Sequence, residues 1–163
     1  LLQRMTSQFD IVATETGLSS PPDGLGVNPY EVLIVASLIE EEAALDEERA
    51  KIARVIYNRL DRSIPLGIDA TIVYALGGDR ELTLSDLAVD SPYNTRLVSG
   101  LPPTPISAPG RASIEAALQP AQGDWLYYVR TDESGVGSHT FTVTQEDFNE
   151  AVLICIEKDL GCG

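Results

Sequence analysis

Three consecutive carboxylates, Glu40-Glu41-Glu42, end an apolar run that begins at Val32. A helix that is oily for two turns is normally buried, and a carboxyl at the edge of an apolar wall loses hydration, which raises its pKa. Such a group can hold a proton near neutral pH and deliver it to a leaving atom, which is general acid chemistry. At about 100° per residue, Glu40 falls beside Leu33, Ala36 and Ser37, on the flank of the strongest apolar face. Glu41 falls roughly opposite that face, and Glu42 lies on the other flank, near Val35. Glu40 is therefore the candidate acid, with two like-charged neighbours expected to raise its pKa further. A run of glutamates is also what a solvated helix end looks like, and the residue types alone do not separate the two.

Other polar residues offer narrower chemistry. Tyr93-Asn94-Thr95 sets hydrogen-bonding side chains beside an aromatic face, a mixture that suits sugar hydroxyls and acetamido groups; an Asn after Ser-Pro-Tyr is equally a turn residue. His139, the single histidine, opens a β-branched stretch and reads as structural rather than catalytic. It has no companion Ser or Cys motif that would form a nucleophilic triad. The carboxylates are too scattered for a calcium loop, no strand–GxGxxG–helix pattern occurs, and two cysteines without a nearby His make no zinc site. Neither metal nor cofactor is expected.

These residues must be positioned by a chain of 163 residues, enough for one domain with a sizeable core. Its 44% hydrophobic and 22% charged content is ordinary for a globular protein, but its net charge of -14 is not. So acidic a surface repels phosphate backbones, which argues against nucleic acid as a partner, and it repels anionic membranes equally. Val32 to Ile39 is far short of a membrane span, and no signal peptide opens the chain. Because the chain starts at Leu1, it is expected to be a piece of a longer protein. Cys155 and Cys162 allow either a free core thiol or a local disulfide, and a disulfide would indicate an oxidising compartment.

The periodicity predicts an amphipathic helix over residues 1–16 and an intradomain linker over 17–29. A helix follows from Tyr30 to about Ala44, then another over 47–61 with Asp46 as its cap. A short helix over 71–76 stops at Gly77-Gly78, and Thr83-Leu84-Ser85-Asp86 has a capping-box pattern. Between Ser91 and Gly110, five prolines and two glycines predict a long ordered loop or a lid. Residues 111–118 read as helix, Trp125–Val129 and Thr140–Val143 as a β-hairpin. Thr144 caps a last helix with Phe148, Ala151, Val152, Cys155 and Ile156 facing inward. The class is α+β, mostly helical with a small hairpin sheet.

At the level of motifs, Ala36-Ser37-Leu38-Ile39-Glu40-Glu41-Glu42 followed by Glu48-Arg49-Ala50-Lys51-Ile52-Ala53-Arg54-Val55-Ile56-Tyr57-Asn58-Arg59-Leu60 resembles the catalytic segment of the YceG-like endolytic transglycosylases. The resemblance continues through Asp69-Ala70-Thr71-Ile72-Val73-Tyr74, Asp90-Ser91-Pro92-Tyr93-Asn94-Thr95, Gly100-Leu101-Pro102-Pro103, Pro105-Ile106 and Pro109-Gly110, and then Leu126-Tyr127-Tyr128-Val129 and His139-Thr140-Phe141. It covers about residues 30–152, leaving 153–163 as the end of the last helix.

The resemblance implies a lysozyme-like catalytic domain that cleaves the β-1,4 bond between N-acetylmuramic acid and N-acetylglucosamine within peptidoglycan strands. It does so without water, leaves 1,6-anhydromuramoyl ends and terminates nascent strands. It places the acid/base on the first Glu of the run, Glu40, and makes Tyr93, Asn94, Thr95, Asn58, Asp69 and Tyr74 candidate sugar-binding residues. A membrane anchor and a LysM-like domain are expected upstream of this chain, with the catalytic domain on the extracytoplasmic side of the cell membrane and peptidoglycan synthases as partners. Glu41 stands where the family often has Lys, Gly67 where it often has Gln, and Ala70 where it often has Pro. Loss of the Lys cation is expected to raise the pKa of Glu40. A lysozyme-type hydrolase using Glu40, Asp69 and water is the rival enzyme, and a glycan- or synthase-binding module with little catalysis is the rival of another class.

Overall fold

The computed structural model describes residues 2–78, 81–132 and 137–161. Among these the chain forms six α-helices and a two-stranded sheet: α1 (Leu2–Thr16), α2 (Pro29–Glu42), α3 (Arg49–Asp61), α4 (Asp69–Ala75), α5 (Arg111–Leu118), β1 (Tyr127–Arg130), β2 (His139–Thr142) and α6 (Gln145–Glu157). The mostly helical α+β class follows directly.

Helix α2 is the centre of the molecule. It starts sharply because the Asn28 side chain accepts hydrogen bonds from the N–H groups of Tyr30 and Glu31. Glu31 in turn accepts from the Asn28 N–H, at 2.8 Å, and Pro29 occupies the first helical position. Val32, Val35, Ala36, Leu38 and Ile39 are wholly buried. A helix apolar on every side must be covered on every side, and α3, α4 and α5 do this. Ser37, also fully buried, spends its hydroxyl on the Ile34 carbonyl at 2.7 Å and accepts the Ile106 N–H at 3.0 Å. It thereby fastens the proline-rich segment against α2. That segment is an ordered part of the core rather than a lid: Asn94, Thr95 and Ile106 are all buried within it.

The hairpin pairs Tyr128 with Phe141 and Arg130 with His139 in antiparallel register. It rests on α6 through Val129, Ala151 and Cys155. Cys162 lies outside the described residues, and with it the question of pairing to Cys155.

Several expectations need correction. Asp46 does not cap α3; it sits in a 3-10 turn and pairs with Arg49 at 2.9 Å. The Thr83–Asp86 hydrogen bonds form as the capping-box pattern requires, but they close only a 3-10 turn, Asp86–Ala88. The intradomain connection over 17–29 is packed on the core, with Leu18 buried and Leu25 and Val27 against it. Along α1 only Val12 and Ala13 reach the core, while Leu2 is 77% exposed. Ile156 faces outward from α6, at 62% exposure. No helix among the described residues is long and apolar enough to cross a membrane.

Candidate functional site

Helix α2 delivers its three glutamates to three different environments. Glu41 is exposed. Glu40 turns toward the N-terminus of α5, where its Oε2 accepts the Ser113 hydroxyl at 2.6 Å and the Gly110 N–H at 3.1 Å. The Arg49 guanidinium stands 3.5 Å away and donates to Ser113 at 2.6 Å. Partial burial pushes the Glu40 carboxyl up, but the two hydrogen bonds and the Arg49 charge outweigh it, and its pKa lies below the ordinary value. This corrects the expectation of a proton-holding Glu40. The cation missing at position 41 is supplied by Arg49, and the carboxylate is occupied in tying α2 to α5.

Glu42 is the carboxyl that burial desolvates. Burial pushes its pKa above the ordinary value against a hydrogen bond from Tyr128. The nearby charges of Asp69 and Glu41 add to the rise, and His139 opposes it only when its ring is protonated. The Tyr128 hydroxyl donates to Glu42 Oε2 at 2.7 Å. Burial and the Glu42 charge raise the Tyr128 pKa well above normal, so the phenol keeps its proton and remains the donor. One carboxyl oxygen is thus held, leaving Oε1 for a ligand.

Glu42 opens into a cleft of 480 Å³ lined also by Asp69, Arg59, Arg96, Tyr127, Arg130 and His139. Each wall is anchored from a different element. Arg96 clamps both oxygens of Asp69, at 2.6 and 2.9 Å, at the start of α4. Arg59, on α3, donates to the Leu126 carbonyl at 2.6 Å and to the Pro65 and Leu66 carbonyls at 3.0 and 2.6 Å. It joins the hairpin to the loop before α4 and lies over the Tyr127 ring. Gly67 in that loop has φ +67°, a conformation side chains rarely adopt, and a Cβ there would come within 3.4 Å of Arg59. A second hollow of 340 Å³, lined by Glu41, Ala70, Tyr74 and Ile106 among others, borders the next residues of α2 and α4. No group of three or more His, Cys, Asp or Glu side chains among the described residues is placed to hold a metal ion.

The six sugar-contact candidates separate. Asp69 lines the cleft with Glu42, and Tyr74 lines the neighbouring hollow. Tyr93 packs against Tyr74 with ring centroids 5.1 Å apart and shares a 2.8 Å hydrogen bond with Thr104. Asn94 is fully buried, donating to the Leu87 and Val89 carbonyls and accepting the Arg96 N–H. Thr95 is buried against Ile68 and Thr71. Asn58 holds the Gly123 and Trp125 carbonyls. The hydrogen bonds of these last three are made within the protein, mostly to backbone groups. The cleft residues that sequence reasoning missed are Tyr128 and the arginines 59, 96 and 130. Their nearest signal was the density of cations in an acidic chain around the hairpin and α3.

The fold and site together define a mostly helical α+β protein with one desolvated carboxyl in an open, arginine-bordered cleft. The sequence profile of the YceG-like family matches residues 1–153, and the chain belongs to that family. An endolytic murein transglycosylase of Bacillus subtilis (strain 168) is 44% identical over 126 residues, which cover 77% of this chain and 34% of the relative. One from Streptococcus pneumoniae (serotype 2) is 38% identical over 136 residues, covering 80% and 24%. A 2.6 Å crystal structure of a YceG-like protein from Listeria monocytogenes superposes with a TM-score of 0.72 at 37% identity, over 88% of this chain and 44% of that one. The chain thus spans about a third or less of the length of these two relatives.

Proposed function

We propose that this chain is the catalytic part of an endolytic murein transglycosylase and that Glu42, rather than Glu40, is its general acid/base. The observation that carries the assignment is the pair of opposite environments. Glu42 is desolvated at a cleft with one oxygen held by Tyr128, whereas Glu40 is kept ionised inside a helix junction. Protonated Glu42 gives its proton to the bridging oxygen, and the bond from that oxygen to C1 of the muramic residue breaks. The 6-hydroxyl of the same residue then forms the new bond to C1, and the Glu42 carboxylate takes up the hydroxyl proton. No water is consumed and the acid is regenerated, so a single carboxyl suffices.

Hydrolysis is the second reading because Asp69 shares the cleft, and a hydrolase needs two carboxyl groups. Asp69 is committed to Arg96 at both oxygens, which favours the lytic route. Products from defined glycan strands decide between them, since hydrolytic ends are heavier than anhydro ends by the mass of one water. Glu42→Gln is expected to abolish product and Glu40→Gln to retain most of it. The reverse result would return the acid to Glu40, and strand binding with no product from the wild type would favour a binding module. On this reading the domain would face the extracytoplasmic side of the cell membrane. An anchor and contacts with peptidoglycan synthases would fall to other parts of the protein, in keeping with the greater length of the relatives.

A further inference from the structure

Opposite Glu42, the cleft holds a second built arrangement that the acid/base mechanism does not use. Glu48, in the turn before α3, is 6% exposed, and both of its oxygens are directed at a single residue. Oε1 accepts the His139 backbone N–H at 2.8 Å, and Oε2 lies 2.7 Å from the ring Nδ1. A carboxylate is an acceptor only, so the ring hydrogen in this contact belongs to Nδ1. The neutral ring then carries a lone pair on Nε2. That nitrogen has no hydrogen-bond partner among the described residues, and it is not sealed off, since no buried side-chain nitrogen or oxygen among them lacks one. His139 lines the cleft and meets the Tyr128 ring edge-on at 5.5 Å, and the Tyr128 hydroxyl reaches Glu42. The imidazole therefore stands one tyrosine ring away from the acid.

We propose that Glu48 is a positioning residue that holds His139 in its Nδ1–H tautomer, so that Nε2 accepts a hydrogen bond from a hydroxyl or acetamido N–H of the glycan in the cleft. The inference rests on the reading of this cleft as the glycan site with Glu42 as its acid. A carboxylate that orients an imidazole removes both the tautomer ambiguity and the ring rotation before the substrate arrives. A merely structural pair would need neither a free Nε2 nor a place on the cleft wall.

The single histidine makes the test direct, because an imidazole nitrogen spectrum of the whole chain contains one ring. With the ring neutral, the wild type should show hydrogen on Nδ1, and peptide-free peptidoglycan strands should shift the Nε2 signal. Glu48→Gln presents an amide N–H to Nδ1, so the hydrogen should move to Nε2 and kcat/KM should fall about 10- to 100-fold. His139→Asn keeps an amide N–H for Glu48 but offers nothing at Nε2, and it should fold normally and lose a similar factor. Wild-type kcat/KM in His139→Asn, or a tautomer switch in Glu48→Gln without loss of rate, would overturn the proposal. Glu42→Gln is run alongside. If it is inactive while His139→Asn is unimpaired, the dyad alone fails; if it is fully active, the reading of the cleft fails.

Discussion

Glu40 and Glu42 stand two residues apart on one helix, and their carboxyls are pulled in opposite directions by their partners. For Glu42 the pH consequence has a definite sign. In the proposed role its carboxyl must start protonated, so kcat/KM should hold at acidic pH and fall as pH rises through its raised pKa. Tyr128 lowers that pKa by donating to the carboxylate, so Tyr128→Phe should move the alkaline limb of the pH–rate profile upward. A limb that stays put or moves down would show that another group sets it. The stability linkage has the same origin. A half-buried carboxyl with a raised folded-state pKa stabilises the fold least above that pKa, so Glu42→Gln should melt higher than wild type near neutral pH, and the gap should close on acidification. Sequence reasoning saw the unusual carboxylates but chose between them by helical angle. That criterion says little about their environments, because α2 is buried on nearly all sides and leaves no polar face to point to a cleft. The residues that decide are Tyr128 and Ser113, which lie far away in the chain.

At the scale of elements, the Glu40–Ser113–Arg49 junction joins the C-terminus of α2 to the N-terminus of α5. Removing the carboxyl with Glu40→Ala should cost about 1–3 kcal/mol in urea denaturation, the scale of a hydrogen bond to a charged group plus the partners it leaves. Glu40 has a lowered folded-state pKa, so its contribution is present above the ordinary 4.5 and disappears as pH falls through the folded value. The difference between Glu40→Ala and wild type should therefore shrink in acid. Asn94→Ala should lower Tm by exposing the Leu87 and Val89 carbonyls and the Arg96 N–H to no partner, while glycan affinity of the folded protein changes little. A selective loss of affinity would restore Asn94 to the sugar site. The elements themselves were largely legible: α5 and the hairpin fall where periodicity and turn residues put them. Asn94 and Asn58 were not, because a hydrogen-bonding side chain in a loop looks the same whether it serves a ligand or a carbonyl across the fold.

For the whole molecule, the net charge of -14 conceals a local reversal, since Arg59, Arg96 and Arg130 all line the cleft. Arg59 and Arg96 are committed to carbonyls and to Asp69, whereas Arg130 is 48% exposed and only loosely paired with Asp132 at 3.5 Å. Arg130→Ala should weaken binding of carboxylate-bearing glycan strands at low salt, with the difference vanishing as salt rises, as expected of an exposed charge. Equal binding at both salt levels would remove Arg130 from the recognition surface. Overall charge could not show where the minority of cations gather.

Glu42 is enclosed in part by a hairpin that begins only at residue 127. Without the hairpin, Glu42 would lose part of the burial that raises its pKa, and its carboxyl should titrate closer to the ordinary value. If Glu42 acts as proposed, a chain nicked ahead of the hairpin should lose its activity together with the raised pKa.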